Sequence, residues 1–198
     1  TLREVLRHRT VERAVMVEID PQVIDISRRY LPEWSDGAFD DPRAEIRIED
    51  AVHYLQETGD RFDVIIADLT EPIPDTPAEP LLSREMFQAM HRCLKPDGIL
   101  VNQSGGTGTF IRTFAHIYQI MGTVFRHLAP CSIQMTSFAE PWGFIVASDV
   151  HDPRDLTPEE VEARLSRRCA REKLRYYDGF IHRALFTIPR CFQKALEP

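Results

Sequence analysis

The chain has 198 residues, 43% of them hydrophobic and 28% charged, which is enough for one globular domain with a full core. Its net charge of −7 argues against a nucleic-acid binder, which carries a basic patch, and suits a cationic small molecule better. No apolar run nears the roughly 18 residues of a membrane span, no signal peptide is expected, and Cys93, Cys131, Cys169 and Cys191 stand at no metal-ligand spacing, so a cytoplasmic protein with reduced thiols and no metal is expected.

Helix and strand patterns alternate from the first residue. Leu2, Val5 and Leu6 share one helical face, so the chain opens already inside a helix. Ala14–Glu18 reads as a strand, and Pro21 starts a helix to about Tyr30, proline being suited to a first turn. A turn-rich stretch at 35–42 precedes a short strand, Ala44–Ile48, and a short helix, Ala51–Glu57. Phe62–Ala67 reads as a buried parallel strand, followed by a proline-rich loop to Leu82. A helix carrying Met86, Phe87, Met90 and Leu94 stops at Lys95-Pro96-Asp97-Gly98, and a strand runs from Gly98 to Gln103. Phe110–Phe125 is the next helix; about Ala129–Met135 and Trp142–Ser148 read as a closing antiparallel pair. The alternation predicts an α/β fold with a doubly wound, mostly parallel sheet over residues 1–150. From Asp152 the character changes to a helical extension, 151–198, with a solvated basic face (Arg164, Arg167, Arg168, Arg171 and Arg175) and an apolar tail that docks on the sheet.

Three strands end in acids: Glu18, Asp50 and Asp68. Ligands in open α/β sheets bind outside the carboxyl ends of the strands, and an acid after such a strand accepts hydrogen bonds from ribose hydroxyls. Each acid alone has an equally simple structural account, because a carboxylate at a helix N-terminus is favourable in itself. Together they fit a nucleoside pocket with a polar reaction site beside it.

At this point several ordered motifs coincide. V-E-I-D-P from Val17, D-D-P-R at 40–43, E-D-A at 49–51, F-D-V-I-I-A-D-L-T-E-P at 62–72, K-P-D-G-I-L-V-N-Q at 95–103 and P-W-G-F-I-V-A-S-D at 141–149 resemble the spermidine synthase family of polyamine aminopropyltransferases. The loop variant T-P-A at 76–78 and S-F-A-E-P-W-G-F at 137–144 are most similar to the thermospermine synthase branch. The resemblance covers residues 1–150 well and the tail loosely. It implies a Rossmann-like, methyltransferase-type fold and transfer of the aminopropyl group of decarboxylated S-adenosylmethionine, a co-substrate and not a prosthetic group, to a polyamine amine. Methylthioadenosine is released. It also implies Glu18, Ile19, Asp50, Ala51 and Pro77 at the nucleoside, Asp68 as the catalytic acid–base residue, and Glu71, Gln103 and Phe138 at the acceptor. Glu71 stands where the family has aspartate, and Phe138 lies near a position where some members have tyrosine. The family commonly forms homo-oligomers.

The family also carries a β-rich N-terminal domain, a further strand and a glycine-rich loop ahead of the opening helix. The expectation is therefore of a longer native chain, or of another chain that supplies the missing part; 198 residues alone would leave a gap in the middle of the sheet. Two other readings stay open: a small-molecule methyltransferase on the same fold, and a non-catalytic paralogue or assembly subunit. Gly105-Gly106-Thr107-Gly108 fits neither common phosphate-loop spacing and is expected to border the acceptor cleft. Trp142 and Phe144 read first as core, and His53 and His116 as structural or surface residues.

Overall fold

The computed structural model describes residues 1–69, 79–168 and 174–197. Glu71 and Pro77, and with them Cys169 and Arg171, lie outside the described residues. In chain order the elements are α1 (Leu2–Leu6), β1 (Ala14–Glu18), α2 (Pro21–Tyr30), α3 (Pro32–Ser35), β2 (Ala44–Ile48), α4 (Ala51–Glu57), β3 (Phe62–Ala67), α5 (Arg84–Cys93), β4 (Leu94–Gly106), α6 (Ile111–Gly122), β5 (His127–Met135), β6 (Glu140–Ser148), α7 (Pro158–Arg168), α8 (Gly179–Leu185) and α9 (Arg190–Leu196).

Local chemistry explains where these elements start. Asp20 accepts a hydrogen bond from the Gln22 N–H and Pro21 fills the first turn, so α2 begins there. Ser83 caps α5 through the Met86 N–H. The α5 face that carries Met86, Phe87, Met90 and Cys93 is buried, as its helical spacing requires.

Among the described residues the strands form two hydrogen-bonded sheets. One is the parallel pair β1–β2; the other has the order β3-β4-β6-β5, with β3 and β4 parallel and β4, β6 and β5 antiparallel. By compactness the chain divides into two units, Thr1–Thr58 with Ala163–Arg175, and Gly59–Glu162 with Tyr176–Pro198. In the first, Leu6, Ala14 and Ala38 form a small core, with Leu2, Val5, Val11 and Ala44 against it. In the second, Phe87, Leu100, Phe114, Ile117, Met121 and Ile145 are fully buried.

Several expectations are corrected. Phe62–Ala67 is a parallel strand, but Val64 and Ile66 are 51% and 44% exposed, because among the described residues β3 has a sheet neighbour on one side only. Leu94 leaves α5 and opens β4. The Lys95–Gly98 turn is retained as a bulge inside that strand: register passes from Phe62↔Leu94 to Val64↔Ile99, and Lys95 Nζ reaches both Asp63 oxygens at 2.9 Å. The α6 helix stops at Gly122, and Phe125 is buried beyond its end. The β5–β6 pair starts two residues earlier on each strand than the pattern indicated, at His127 and Glu140. In the tail, Phe192 of α9 stands edge-on to Phe114 of α6, ring centroids 5.0 Å apart.

Candidate functional site

In the first unit, Glu18 closes β1 and Asp50 follows β2 by two residues. The Glu49 N–H donates to the Glu18 carbonyl at 3.0 Å, which brings both acids to the carboxyl edge of the parallel pair. Each carboxylate also has a local task. Glu18 accepts from the Asp20 N–H at 2.9 Å, and Asp50 caps α4 through the Val52 N–H at 2.7 Å. Ile19 is exposed and Ala51 is the first residue of α4. The D-D-P-R motif has a structural role. Arg43 is bound to Asp41 and donates to the carbonyls of Leu6, His8 and Val11, tying α1 and the loop after it to the approach to β2. The Arg43 hydrogen bonds hold the Asp41 carboxyl down at about 2.

In the second unit, Asp68 is the first residue past β3 and is exposed. Parallel pairing of Ala67 with Asn102 sets it level with Gln103 on β4. Gln103 donates from Nε2 to the Leu69 carbonyl at 3.1 Å, which fixes the backbone immediately after the acid. Phe138 lies on the β5–β6 connection and stacks on Trp142, with centroids 4.1 Å apart and planes inclined by 22°. Trp142 itself pairs with Gly106 at the carboxyl end of β4 and is buried, so it is core on one side and a platform for Phe138 on the other. The structure thus sets Asp68, Gln103 and Phe138 at the carboxyl-end side of β3 and β4 in the second unit; in the first, Glu18 and Asp50 stand at the carboxyl edge of β1 and β2.

The sequence reading missed Glu140. Its carboxylate accepts the N–H groups of Gly108 and Thr109, at 3.1 and 3.0 Å, so the glycine-rich loop already serves an anion from its own chain. The available signal was the paired glycines 106 and 108. A Cβ on either would fall 2.5 or 2.9 Å from atoms of the Glu140 carboxylate. Thiol chemistry is not offered by Cys131, whose thiol burial pushes up to about 11. His53 lies on the surface 3.1 Å from Glu57, and His116 is exposed. Among the described residues, no cluster of His, Cys, Asp and Glu could hold a metal ion, and no helix is long and apolar enough to cross a membrane.

Comparison with known proteins gives this geometry a context. A polyamine aminopropyltransferase of Sulfurisphaera tokodaii is 38% identical over 197 residues, covering all of this chain and 65% of that protein. Spermidine synthase from Thermotoga maritima superposes with a TM-score of 0.85 at 36% identity, over 99% of this chain and 64% of that one. A spermidine synthase in complex with the transition-state analogue AdoDATO gives a TM-score of 0.83 at 34% identity, over 98% and 63%. The chain therefore spans about two thirds, and slightly less, of the length of these relatives. The fold is the α/β fold that the alternating elements predict, of the methyltransferase-like kind that the family resemblance implies. The Spermine/spermidine synthase domain model matches residues 1–155, and the chain belongs to that family.

Proposed function

We propose that this protein is a cytoplasmic polyamine aminopropyltransferase. It would transfer the aminopropyl group of decarboxylated S-adenosylmethionine to an amine such as putrescine or spermidine. The observation that carries this reading is the Asp68–Gln103 arrangement at the ends of two parallel strands, in a chain of this family. The named activity of the relatives and the analogue bound to one of them support it.

The chemistry asks for what these residues offer. An alkylammonium loses its proton near pH 10 (about 10.4 for a lysine side chain), so at neutral pH the acceptor nitrogen has no free lone pair. Asp68 would accept that proton or hold the free amine in line. The nitrogen lone pair then forms a bond to the carbon beside the sulfonium. The carbon–sulfur bond breaks with its electrons going to sulfur, leaving neutral methylthioadenosine and an amine longer by one aminopropyl unit. Both reactants are cations, so carboxylates must offset their repulsion while they are held together. Asp68 and Glu71 would serve the acceptor, with Gln103 orienting the backbone beside the base and Phe138 forming an apolar wall for the methylenes. Glu18 would hold the ribose hydroxyls beside Ile19, and Asp50, Ala51 and Pro77 the adenine. In this reading residues 1–150 are the catalytic portion and 151–198 an extension packed on it, a role supported by the Phe192–Phe114 contact. A homo-oligomer is proposed on the family resemblance.

The test is methylthioadenosine release from decarboxylated S-adenosylmethionine with a panel of diamines and triamines. It should use the 198-residue chain and the longest native polypeptide that contains it. Release with one amine that Asp68→Asn abolishes is the expected result. Silence from the longer polypeptide with every amine would overturn the reading in favour of a non-catalytic paralogue.

A further inference from the structure

Four hydrogen bonds join the loop after β4 to the first residues of β6. Thr107 donates its N–H to the Pro141 carbonyl at 2.9 Å and its hydroxyl to the same oxygen at 3.2 Å. Gly108 and Thr109 donate their N–H groups to Glu140 Oε2. The Ser132 hydroxyl of β5, 2.9 Å from Thr107 Oγ1, completes the junction. Hydrogen bonds from amides to a charged carboxylate are stronger than neutral ones, so Glu140 is the firmest of these anchors.

Glu140 stands at the end of the β5–β6 ladder, paired with Met135, and the Ala139 N–H donates to the Thr136 carbonyl at 3.3 Å to close the tip. Ala139, next to it, has φ +58, a left-handed conformation that residues with a Cβ avoid unless their surroundings impose it. Phe138, one residue further back, is 44% exposed and is held by its stack on Trp142. On this backbone tip two side-chain contacts, one on each side of a left-handed alanine, bear on where the Phe138 ring lies: the Glu140 carboxylate on the Gly108 and Thr109 amides, and the stack on Trp142. Glycine at 106 and 108 is the condition for the first of them, since a Cβ at either place would collide with the carboxylate.

We propose that Glu140 is a positioning residue that fixes the Phe138 ring flat on Trp142 and thereby shapes the wall of the acceptor-amine site. The reaction part of this proposal rests on the aminopropyltransferase reading above. Glu140 does not touch the amine; it acts through the hairpin tip. Loss of the anchor lets Ala139 relax and Phe138 swing away, which weakens amine binding and leaves the nucleoside side untouched.

The chain has two tryptophans, Trp34 and Trp142, so in a Trp34→Phe background the fluorescence reports Trp142 alone. In that background Glu140→Ala and Gly106→Ala should each make Trp142 more accessible to acrylamide. They should also raise KM for the amine by about tenfold, the loss of one charge-assisted anchor, with KM for decarboxylated S-adenosylmethionine unchanged. Glu140→Gln, which keeps an acceptor oxygen, should fall between Ala and the native residue. Combining Gly106→Ala with Glu140→Ala should add nothing to either one, because both remove the same contact. Unchanged quenching of Trp142 in Glu140→Ala overturns the proposal, as does an equal rise in both KM values. If the unsubstituted polypeptide turns over no amine, the aminopropyltransferase reading fails by itself. The quenching comparison still decides whether Glu140 holds the ring.

Discussion

Gln103 and Leu69 are joined across β4 and the end of β3: the side-chain amide donates to the backbone carbonyl at 3.1 Å, one residue beyond Asp68. The strand pairing delivers Gln103 to this position, because Ala67 faces Asn102 in the parallel register. A side-chain amide is long enough to span the gap and neutral, so it steadies the chain without competing for the charge on the acid. Gln103→Ala should lower kcat/KM for the amine by up to about tenfold, the range of one net hydrogen bond. Steady-state kinetics on the proposed reaction would check this. An unaffected rate would remove Gln103 from the site.

Asp68 is exposed and sits outside the strand ladder, so its replacement should leave the fold intact. Asp68→Asn keeps the shape and removes the charge. On the proposed reaction kcat should fall by about 10²–10⁴-fold, the usual range for a positioned base, with an unchanged thermal midpoint. Single-turnover methylthioadenosine release, measured beside a melting curve, separates the two quantities.

Asp41 and Arg43 make an acid-sensitive clamp. The hydrogen bonds from Arg43 lower the Asp41 carboxyl from 3.8 to about 2. A depressed carboxyl contributes stability above its unfolded value, and that contribution disappears as pH falls through the folded one. Asp41→Asn should therefore lower the melting midpoint at pH 6, and its deficit relative to the native protein should shrink between pH 4 and pH 2. Arg43→Ala should be more damaging at pH 6 than Asp41→Asn, because it also strips a donor from the carbonyls of Leu6, His8 and Val11. Melting curves across that pH range provide the comparison.

Phe114 and Phe192 share one edge-to-face contact but should not share a cost. Phe114 is fully buried at the centre of the second unit, and Phe114→Ala should destabilise by about 3–5 kcal/mol. Phe192 belongs to a seven-residue helix near the end of the chain, which can detach without opening the rest. Phe192→Ala should therefore expose the amides of α9 to hydrogen exchange while the midpoint of global unfolding moves less. Denaturant titration with exchange mass spectrometry distinguishes local release from global loss.

The opening helix, the parallel strands and the closing hairpin were legible because hydrophobic period and capping chemistry are local properties. Leu2, Val5 and Leu6 do face one small core, and Asp20 with Pro21 starts a helix wherever the chain goes afterwards. The order of motifs also sufficed for the family, since strand-terminal acids at Glu18, Asp50 and Asp68 recur at sheet edges for reasons of topology. What a period of alternating residues cannot carry is which neighbours cover a strand. Val64 and Ile66 are as apolar as buried residues, yet half of each is exposed, because burial depends on pairing partners distant in sequence. For the same reason the Lys95–Gly98 turn reads locally as an end of structure, while in the fold β4 resumes its pairing with β3 at Ile99 and Lys95 lies beside Asp63. Glu140 marks the sharpest division. Nothing within ten residues of it along the chain identifies its role, because its partners, Gly108 and Thr109, are more than thirty positions away. Only the antiparallel return of β6 against β4 brings a carboxylate to amides that two glycines leave open.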